Sequence, residues 1–336
     1  MRIAFYANGY SASVAANRLR MLQPMDYLNA NGCDASLFSP DRGIEGYDAF
    51  IISRAHTRQS VAFAGTVRAA GRPLAYDVCD NLFEGYKSWH DRYRAPLFAD
   101  MLRLADLVTT PTPVLGDLLK RHVPDATARF EVIPDALEEL PAGDPGELGR
   151  LRRFLARNPG ALHCVWFGSS TKNLAGLSHL DKAVEAMTAF SRLHPVTLTI
   201  ISDTRWQYLL SSRNWQIPSY FQPFSISNFQ PALALHRTAI IPVVRNPYTI
   251  GKSINRPATA LLAGLGVIAD LIDSYEELRP YIELDDWQAG LAHQALGPDP
   301  RVPMAQAYLR TRYNPEAVGK YWLNLANSLN KRVPSA

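Results

Sequence analysis

Short apolar runs alternate along the chain with longer stretches in which apolar residues recur every three to four positions. The short runs predict strands and the longer stretches predict amphipathic helices, and their alternation is typical of βαβ units with parallel sheets. In the first half the predicted strands are Ile3–Ala7, Ala35–Phe38, Ala49–Ser53, Leu74–Val78, Leu107–Thr110 and Phe130–Ile133. The predicted helices there are Val14–Asn31, Ser60–Ala70, Ala95–Ala105 and Pro113–Arg121, with Thr112 as the N-cap of the last.

The stretch Leu137–Pro159, rich in proline and glycine, interrupts this alternation, which then starts again. The later predicted strands are Leu162–Phe167, Thr197–Ser202, Ser219–Phe224, Ala239–Val244 and Gly266–Ala269. The later predicted helices are Leu177–Ser191, Phe229–Leu235, Pro257–Leu262, Tyr275–Tyr281, Met304–Arg312 and Glu316–Leu329. We therefore predict an α/β protein with two Rossmann-like domains, residues 1–150 and 151–312, followed by a C-terminal helix in residues 313–336.

Composition and charge narrow the function classes. The 336 residues carry a net charge of +4, and the lysines and arginines do not cluster with aromatic residues, so no nucleic-acid partner is predicted. A mildly basic surface suits a phosphate-bearing substrate or peripheral contact with an anionic membrane surface. Cys33, Cys79 and Cys164 lack metal-ligand spacing, so no metal is expected. A chain without a spanning run that enters a strand directly at Met1 is expected in the cytoplasm.

The most informative segment is Gly251-Lys252-Ser253-Ile254-Asn255-Arg256, between an apolar strand and a predicted helix. Gly251 allows close backbone approach, and Ser253 or Asn255 can cap the helix. Lys252 and Arg256 add positive charge where a helix N-terminus already favours an anion, which suits a diphosphate. A solvated loop with incidental cations is the alternative, and the segment is not a Walker A loop, because Asn246 stands where its first glycine belongs.

Other strand-to-helix loops carry weaker signals. The loop from Gly168 to Asn173 suits phosphate or sugar hydroxyls, although an ordinary turn explains it nearly as well. Asp77 and Asp80 could orient acceptor hydroxyls or act as a base, or merely cap a turn. Further candidates are Asp203 and Arg205 for a nucleoside, Glu84–Trp89 for stacking on a sugar, and His56, His90 and Arg20. The first strand is followed by Asn8-Gly9-Tyr10-Ser11-Ala12 rather than a Gly-x-Gly-x-x-Gly motif, which argues against a nicotinamide dehydrogenase.

A resemblance joins these segments. Lys252-Ser253-Ile254-Asn255-Arg256, the helix up to Gly264, Val267-Ile268-Ala269 and Ser274-Tyr275-Glu276-Glu277 resemble, in order, the donor-binding segment of GT-B glycosyltransferases of the family 4-like (group 1) type, which includes many bacterial polysaccharide enzymes. Asp106–Thr112, Val132-Ile133-Pro134-Asp135 and Val165–Ser169 resemble three further segments of that family in the same order. The resemblance therefore covers nearly the whole chain.

The resemblance implies a GT-B fold, with a site in the cleft between the domains and a C-terminal helix that packs back on the first domain through Tyr321, Trp322, Leu325 and Leu329. It implies transfer of a sugar, with retention, from a nucleotide diphosphate sugar to a glycan, lipid-linked or small-molecule hydroxyl acceptor, without another cofactor. The candidate catalytic residues are Asp77, Asp80, Lys252 and Arg256. The candidate donor-binding residues are Gly9, Gly168, Ser169, Ser170, Lys172, Asn173, Gly251, Ser253, Asn255, Thr259, Ser274, Tyr275 and Glu276. The candidate acceptor-binding residues are Tyr10, Ser11, Arg18 and Asn81.

One departure keeps a second hypothesis open. Many relatives carry two glutamates, the second of which binds the donor ribose, and the equivalent positions here are Gly251 and Thr259. Glu276, Glu277, Asp270 and Asp273 are possible substitutes. The alternative to a transferase is therefore a GT-B accessory protein that binds a sugar or nucleotide without turnover.

Overall fold

The computed structural model describes residues 1–39, 42–84, 93–138, 148–170 and 176–331. Within them lie two six-stranded sheets, and every strand pairs in parallel. The first sheet, in the order β2-β1-β3-β4-β5-β6, contains β1 (Arg2–Tyr6), β2 (Asp34–Leu37), β3 (Ala49–Ser53), β4 (Leu74–Asp77), β5 (Leu107–Thr110) and β6 (Arg129–Val132). Its central strands β3, β4 and β5 are buried along their whole length, as expected for a sheet covered on both faces.

The helices of this part agree with the predicted ones, with one difference. They are α1 (Ala15–Asn17), α2 (Gln23–Ala30), α3 (Arg58–Ala69), α4 (Arg94–Leu104) and α5 (Pro113–His122). A π-helical turn, Arg18–Leu22, joins α1 to α2, so the single helix predicted over Val14–Asn31 is interrupted. Thr112 is confirmed as the N-cap of α5, because its hydroxyl oxygen accepts a hydrogen bond from the Leu115 amide at 3.2 Å.

The second sheet has the order β12-β11-β10-β7-β8-β9. Its strands are β7 (Leu162–Phe167), β8 (Val196–Ser202), β9 (Ser219–Pro223), β10 (Thr238–Ile241), β11 (Gly266–Ala269) and β12 (Glu283–Leu284). Its helices are α6 (Gly149–Ala156), α7 (Asp181–Phe190), α8 (Arg205–Ser211), α9 (Ile226–Leu233), α10 (Asn255–Leu262), α11 (Trp287–Ala295) and α12 (Val302–Arg312), with 3₁₀ turns at Leu177–His179, Ser212–Asn214 and Asp273–Leu278. The sequence pattern did not predict α8 or α11.

The C-terminal helix α13 (Pro315–Asn330) belongs to the core of the first sheet. Val318, Trp322, Leu325 and Leu329 are buried against residues of β1 and α2, at the spacing of one helix face. The predicted packing of this helix on the first domain is thus confirmed, but Tyr321 does not take part. It is 48% exposed, because it lies one position away from the buried stripe.

The chain folds into two compact units. The first unit comprises residues 1–137, 250–253 and 311–336, and the second comprises residues 138–249 and 254–310. The predicted domain limits at 150 and 312 stay a prediction. Among the described residues, the structure has no helix with the length and apolar character that crossing a membrane requires.

Candidate functional site

In the second unit, the loops that follow β7 and β8 are joined by one carboxylate. Asp203 accepts hydrogen bonds from the hydroxyl groups of Ser169 (3.0 Å), Ser170 (2.7 Å) and Ser202 (3.1 Å), and from the Ser170 amide (3.0 Å). Partial burial alone would raise the pKa of Asp203, but these hydrogen bonds lower it to about 2. Asp203 therefore stays ionised and fixes the loop after β7, where a doubly wound sheet binds its ligands.

Arg256 lies against the same loop. Its guanidinium carbon is 5.7 Å from the centroid of the Trp166 ring, within the range of a cation–π contact. A Cβ atom at Gly168 would lie 3.0 Å from Arg256 Nη2 and 3.3 Å from the Trp166 ring, so this approach depends on glycine. The structure thus brings the candidates Gly168, Ser169, Ser170 and Arg256 together at the carboxyl edge of the second sheet.

The start of α10 differs from the predicted capping. Ile254 is the N-cap residue, and no side chain caps the first turn. Asn255 lies inside the helix, where its Oδ1 accepts a hydrogen bond from the Thr259 hydroxyl at 3.1 Å. Neither Ser253 nor Asn255 is therefore the cap. The backbone N–H groups of this turn and Arg256 give the helix N-terminus the character of an anion site.

The candidates after β11 take other contacts. Tyr275 is buried, Glu276 forms an exposed ion pair with Arg279, and Glu277 accepts a hydrogen bond from the Tyr308 hydroxyl at 2.6 Å. Asp270 is also engaged. It accepts hydrogen bonds from the Val243 amide (2.9 Å), the Trp287 indole (3.0 Å) and Lys182 (3.1 Å). The side chains of Tyr275 and Asp270 therefore pack within the second unit. Ser274 lies in the 3₁₀ turn Asp273–Leu278.

Residues 250–253 belong to the first unit and are held there by three polar contacts. Lys252 forms an ion pair with Asp80, and the Ser253 hydroxyl donates to Asp135 Oδ2 at 2.6 Å. The Thr112 hydroxyl donates to the carbonyl oxygen of Gly251 at 2.9 Å. Sequence reasoning assigned no role to Asp135 or to the Thr112 hydroxyl in holding this segment, since nothing in a single sequence relates residues so far apart.

Asp77 lies in the interior of the first unit. It is completely buried at the end of β4, where its carboxylate accepts hydrogen bonds from Arg20 (2.5 Å), Thr109 (2.7 Å) and Ser53 (3.1 Å). Arg20 is 1% exposed, and it also donates to the Ile133 carbonyl oxygen at 2.5 Å. Burial alone would lower the pKa of Arg20, but the charges of Asp77 and Asp135 raise it, so Arg20 stays protonated. The oxygens of Asp77 are thus occupied inside the protein, and its predicted catalytic role stays a prediction.

The other first-unit candidates divide into buried and exposed ones. Asn81 is completely buried, and its Oδ1 accepts a hydrogen bond from the Phe83 amide at 3.2 Å. Tyr10 is 42% exposed, and Ser11 forms a hydroxyl contact of 2.7 Å with Ser13. Arg18 donates to the Ala12 carbonyl oxygen at 2.6 Å. Tyr10, Ser11 and Arg18 thus lie in or against the loop after β1.

Two further candidates, Gly9 and His56, lie in the first unit. Gly9 adopts φ +72°, a conformation that favours glycine, in the loop after β1. His56 packs edge-on against Phe98, and its Nδ1 lies 2.8 Å from the Arg54 carbonyl oxygen. Burial lowers the pKa of His56, so it is neutral at pH 7. Lys172, Asn173, His90 and most of the segment 84–89 lie outside the described residues.

Two parallel six-stranded Rossmann-like sheets, with a C-terminal helix that packs on the first, define the GT-B glycosyltransferase fold. No protein-family model and no curated protein sequence matches the chain. Among solved structures, the chain is similar to Alr3699/HepE from Anabaena in complex with UDP-glucose, with a TM-score of 0.70 and 15% identity, covering 98% of this chain and 100% of that one.

Two further solved structures support the same fold. Sucrose-phosphate synthase from Thermosynechococcus elongatus matches with a TM-score of 0.71 at 14% identity, over 98% of both chains. An alpha,alpha-trehalose-phosphate synthase (UDP-forming) from Burkholderia vietnamiensis matches with a TM-score of 0.67 at 11% identity, over 100% of this chain and 98% of that one. The family resemblance of the sequence is confirmed at the level of the fold.

Proposed function

We propose that the protein is a glycosyltransferase that moves a sugar from a nucleotide diphosphate sugar to a hydroxyl acceptor. The observation that carries the proposal is the cluster at the carboxyl edge of the second sheet, where Arg256 lies on Trp166 and against Gly168. A fixed guanidinium, a glycine that allows close approach and an uncapped helix N-terminus together suit a diphosphate. The complexes of the structural neighbours with UDP-glucose make this sugar nucleotide the first donor to test.

In this mechanism the residues of the chain bind and neutralise the leaving diphosphate. Arg256 and the N–H groups at the start of α10 stabilise the negative charge that develops when the glycosidic bond to the donor phosphate breaks. Asp203 keeps the Ser169–Ser170 loop in place beside them. Lys252 is the second candidate cation by sequence, and it forms an ion pair with Asp80 within the first unit.

The physiological setting belongs to the same proposal. Following the sequence resemblance, we propose that the transfer retains the anomeric configuration of the sugar. The product belongs to a cell-surface polysaccharide or glycoconjugate, and the reaction takes place in the cytoplasm or at the cytoplasmic face of a membrane. The acceptor is a glycan, a lipid-linked sugar or a small molecule. Asp80 is the first carboxylate to test for a role in acceptor chemistry, since 8% of its surface is exposed whereas Asp77 has none exposed.

A specific observation favours one alternative, a GT-B protein that binds nucleotide sugar without turnover. Gly251 and Thr259 stand at the two positions where many relatives of the resembled family carry glutamates. Thr259 directs its hydroxyl to Asn255. The carboxylate of Asp77 is also engaged, by Arg20.

Thermal unfolding in the presence of nucleotides tests the proposal. A ligand at a hundred times its Kd stabilises the folded state by about 2.7 kcal/mol, so UDP, GDP, ADP and their glucose conjugates are compared for a rise in Tm. Arg256→Gln is expected to abolish the rise without lowering Tm in buffer. Arg279→Gln, which removes an exposed arginine of the same unit, is the matched control.

Release of UDP from UDP-glucose then separates the two candidates. Stabilisation with turnover supports the transferase, and stabilisation without turnover across a panel of sugar acceptors supports the binding protein. If no nucleotide raises Tm, or if Arg256→Gln responds like Arg279→Gln, the diphosphate site is wrong.

A further inference from the structure

Arg54 has a rare backbone conformation at the carboxyl edge of the first sheet. It directly follows β3 and adopts φ +56°, a left-handed conformation that side chains other than those of asparagine and aspartate seldom take. Its N–H donates to the Asp77 carbonyl oxygen at 2.9 Å, and its own carbonyl oxygen lies 2.8 Å from His56 Nδ1. Backbone and histidine contacts thus hold a strained conformation, and strain of this kind is concentrated at functional sites.

Two further arginines approach the same loop from two helices. Arg58 is the first residue of α3, and its guanidinium carbon lies 4.9 Å from the centroid of the Tyr93 ring. Arg94 follows Tyr93 in the chain and is the first residue of α4. His56 packs edge-on against Phe98, which lies one helical turn after Arg94 on the same face of α4. The loop after β3 therefore packs against the start of α4.

The charge of this place is positive. Arg58 and Arg94 are exposed, and no carboxylate of the described residues forms an ion pair with either of them. Burial lowers the pKa of His56, and the positive charges of Arg94 and Arg54 also lower it. Asp80, in the loop after the neighbouring strand β4, is already engaged in an ion pair. We call Arg54, Arg58 and Arg94 the arginine cluster.

We propose that the arginine cluster binds the phosphate group of a phosphorylated sugar acceptor. A guanidinium group binds phosphate through paired N–H donors, and three such groups from different elements suit the several oxygens and the double charge of one phosphate. A carboxylate has two oxygens and one charge, which a single arginine satisfies. The cluster also lies beyond the carboxyl ends of the strands, where a doubly wound sheet binds its ligands.

The role of this ligand as the acceptor rests on the proposed function, in which the second unit binds the donor. The position of Asp80, the first carboxylate to test for acceptor chemistry, supports that role. Asp80 follows β4, and β4 pairs with β3 so that Ser53 lies opposite Asp77 at the end of both strands. Phosphate binding by the first unit does not depend on the proposed function and is measured without any nucleotide.

Calorimetric titration of the full chain tests the arginine cluster. Inorganic phosphate and a panel of hexose 6-phosphates are compared with the matching free hexoses and with hexuronates, which carry a carboxylate instead. At least one hexose 6-phosphate is expected to bind about tenfold or more tightly than its free hexose and its hexuronate. Arg58→Gln/Arg94→Gln is expected to weaken that binding about 100-fold, because each charge-assisted hydrogen bond contributes about tenfold.

The same two helices supply the matched control. Arg68→Gln/Arg103→Gln removes one exposed arginine from the other end of each helix and is expected to bind the hexose phosphate like the full chain. Arg54→Asn removes the third cation but keeps a residue type that tolerates the left-handed conformation, so it is expected to weaken binding about tenfold. Urea unfolding checks that all three variants are folded.

Three results would overturn the proposal. The first is that neither inorganic phosphate nor any hexose phosphate binds more tightly than the free hexoses. The second is an equal loss of binding in Arg68→Gln/Arg103→Gln. The third is a different ligand: a hexuronate that binds more tightly than the hexose phosphates, or UDP, if Arg58→Gln/Arg94→Gln weakens the binding of UDP and not that of the hexose phosphate.

Turnover separates this inference from the proposed function. Release of UDP from UDP-glucose that free hexoses stimulate and hexose phosphates do not would refute the phosphorylated acceptor and leave the transferase standing. Binding of a hexose phosphate by a chain that binds no nucleotide would refute the proposed function and leave the phosphate site standing.

Discussion

The arginines at the carboxyl edges of the two sheets differ in burial and in their partners. At the first sheet, Arg20 is buried and paired with Asp77, so its charge serves the interior. At the second sheet, Arg256 is half-buried, rests on the ring of Trp166 and lies against the loop after β7. Removing one partner of a buried ion pair strongly lowers the free energy of unfolding, whereas a cation near the surface can bind an anionic ligand. The same residue type therefore builds the fold in one unit and serves as a candidate binding group in the other.

Removing each arginine charge in turn tests the difference between Arg20 and Arg256 most directly. Arg20→Met is expected to lower the free energy of unfolding by about 3–5 kcal/mol, because it leaves the Asp77 carboxylate buried without its cation. Arg256→Met is expected to cost less than about 1 kcal/mol of stability, since solvent reaches this half-buried site. Urea unfolding followed by circular dichroism measures both values.

Arg18→Met is the control for Arg20, because Arg18 lies in the same π-helical turn and donates to the Ala12 carbonyl oxygen. Its effect on stability is expected to be small. A loss below about 1 kcal/mol for Arg20→Met, or an equal loss for Arg256→Met, would remove the distinction between the two arginines.

The second unit contains a buried neutral histidine, His236. His236 Nδ1 lies 2.8 Å from the Ala232 carbonyl oxygen and must donate to it, so Nε2 accepts from the Thr199 hydroxyl at 2.7 Å. Burial lowers the pKa of His236 to about 4. Because the unfolded chain takes up the proton at a higher pH than the folded one, stability is complete above about pH 6.5 and falls as the pH drops towards 4, by about 3 kcal/mol.

Urea unfolding between about pH 7 and pH 4.5 measures this dependence. Other groups titrate in the same range, so the comparison is with His236→Gln, whose stability is expected to be lower at pH 7 but to change less with pH. Parallel curves for the two proteins would mean that His236 does not carry the dependence.

The smallest effects are expected from alanine substitutions at two glycines, Gly168 in the second unit and Gly251 in the first. At Gly168, whose φ is +156°, an added Cβ would lie 3.0 Å from Arg256 Nη2 and 3.3 Å from the Trp166 ring, so Gly168→Ala is expected to weaken nucleotide binding about tenfold and also to lower stability. At Gly251 an added Cβ would lie 3.2 Å from Leu115 Cβ and 3.4 Å from its Cα, atoms that cannot rotate away. Gly251→Ala is therefore expected to lower stability by about 1 kcal/mol.

Calorimetric titration with the nucleotide that binds the full chain, together with urea unfolding, gives both quantities for both variants. Unchanged nucleotide binding by Gly168→Ala, or an equal loss of binding by Gly251→Ala, would contradict the placement of Arg256 against Gly168.

The sequence determined most of the fold. The apolar runs Ala49–Ser53 and Leu162–Phe167 are strands with the predicted bounds. A strand that is buried on both faces has apolar residues at consecutive positions, which makes it easy to predict. The helix α8 was missed because its leucines face outward, so it has no stripe directed at the core. The interruption at Arg18–Leu22 was missed because a π turn has no signature in apolar spacing.

For the candidate site, the sequence by itself determined which loops carry suitable side chains, because the loops after parallel strands lie at one edge of a sheet. Only the tertiary structure decided what each side chain does. Asp77 and Arg20 are 57 positions apart and form one buried pair, whereas Arg256 reaches Trp166 and Gly168. Local sequence sets the position of a charge along a strand or helix, but the partner that satisfies it comes from another element, and burial then decides whether that charge stabilises the fold or stays available to a ligand.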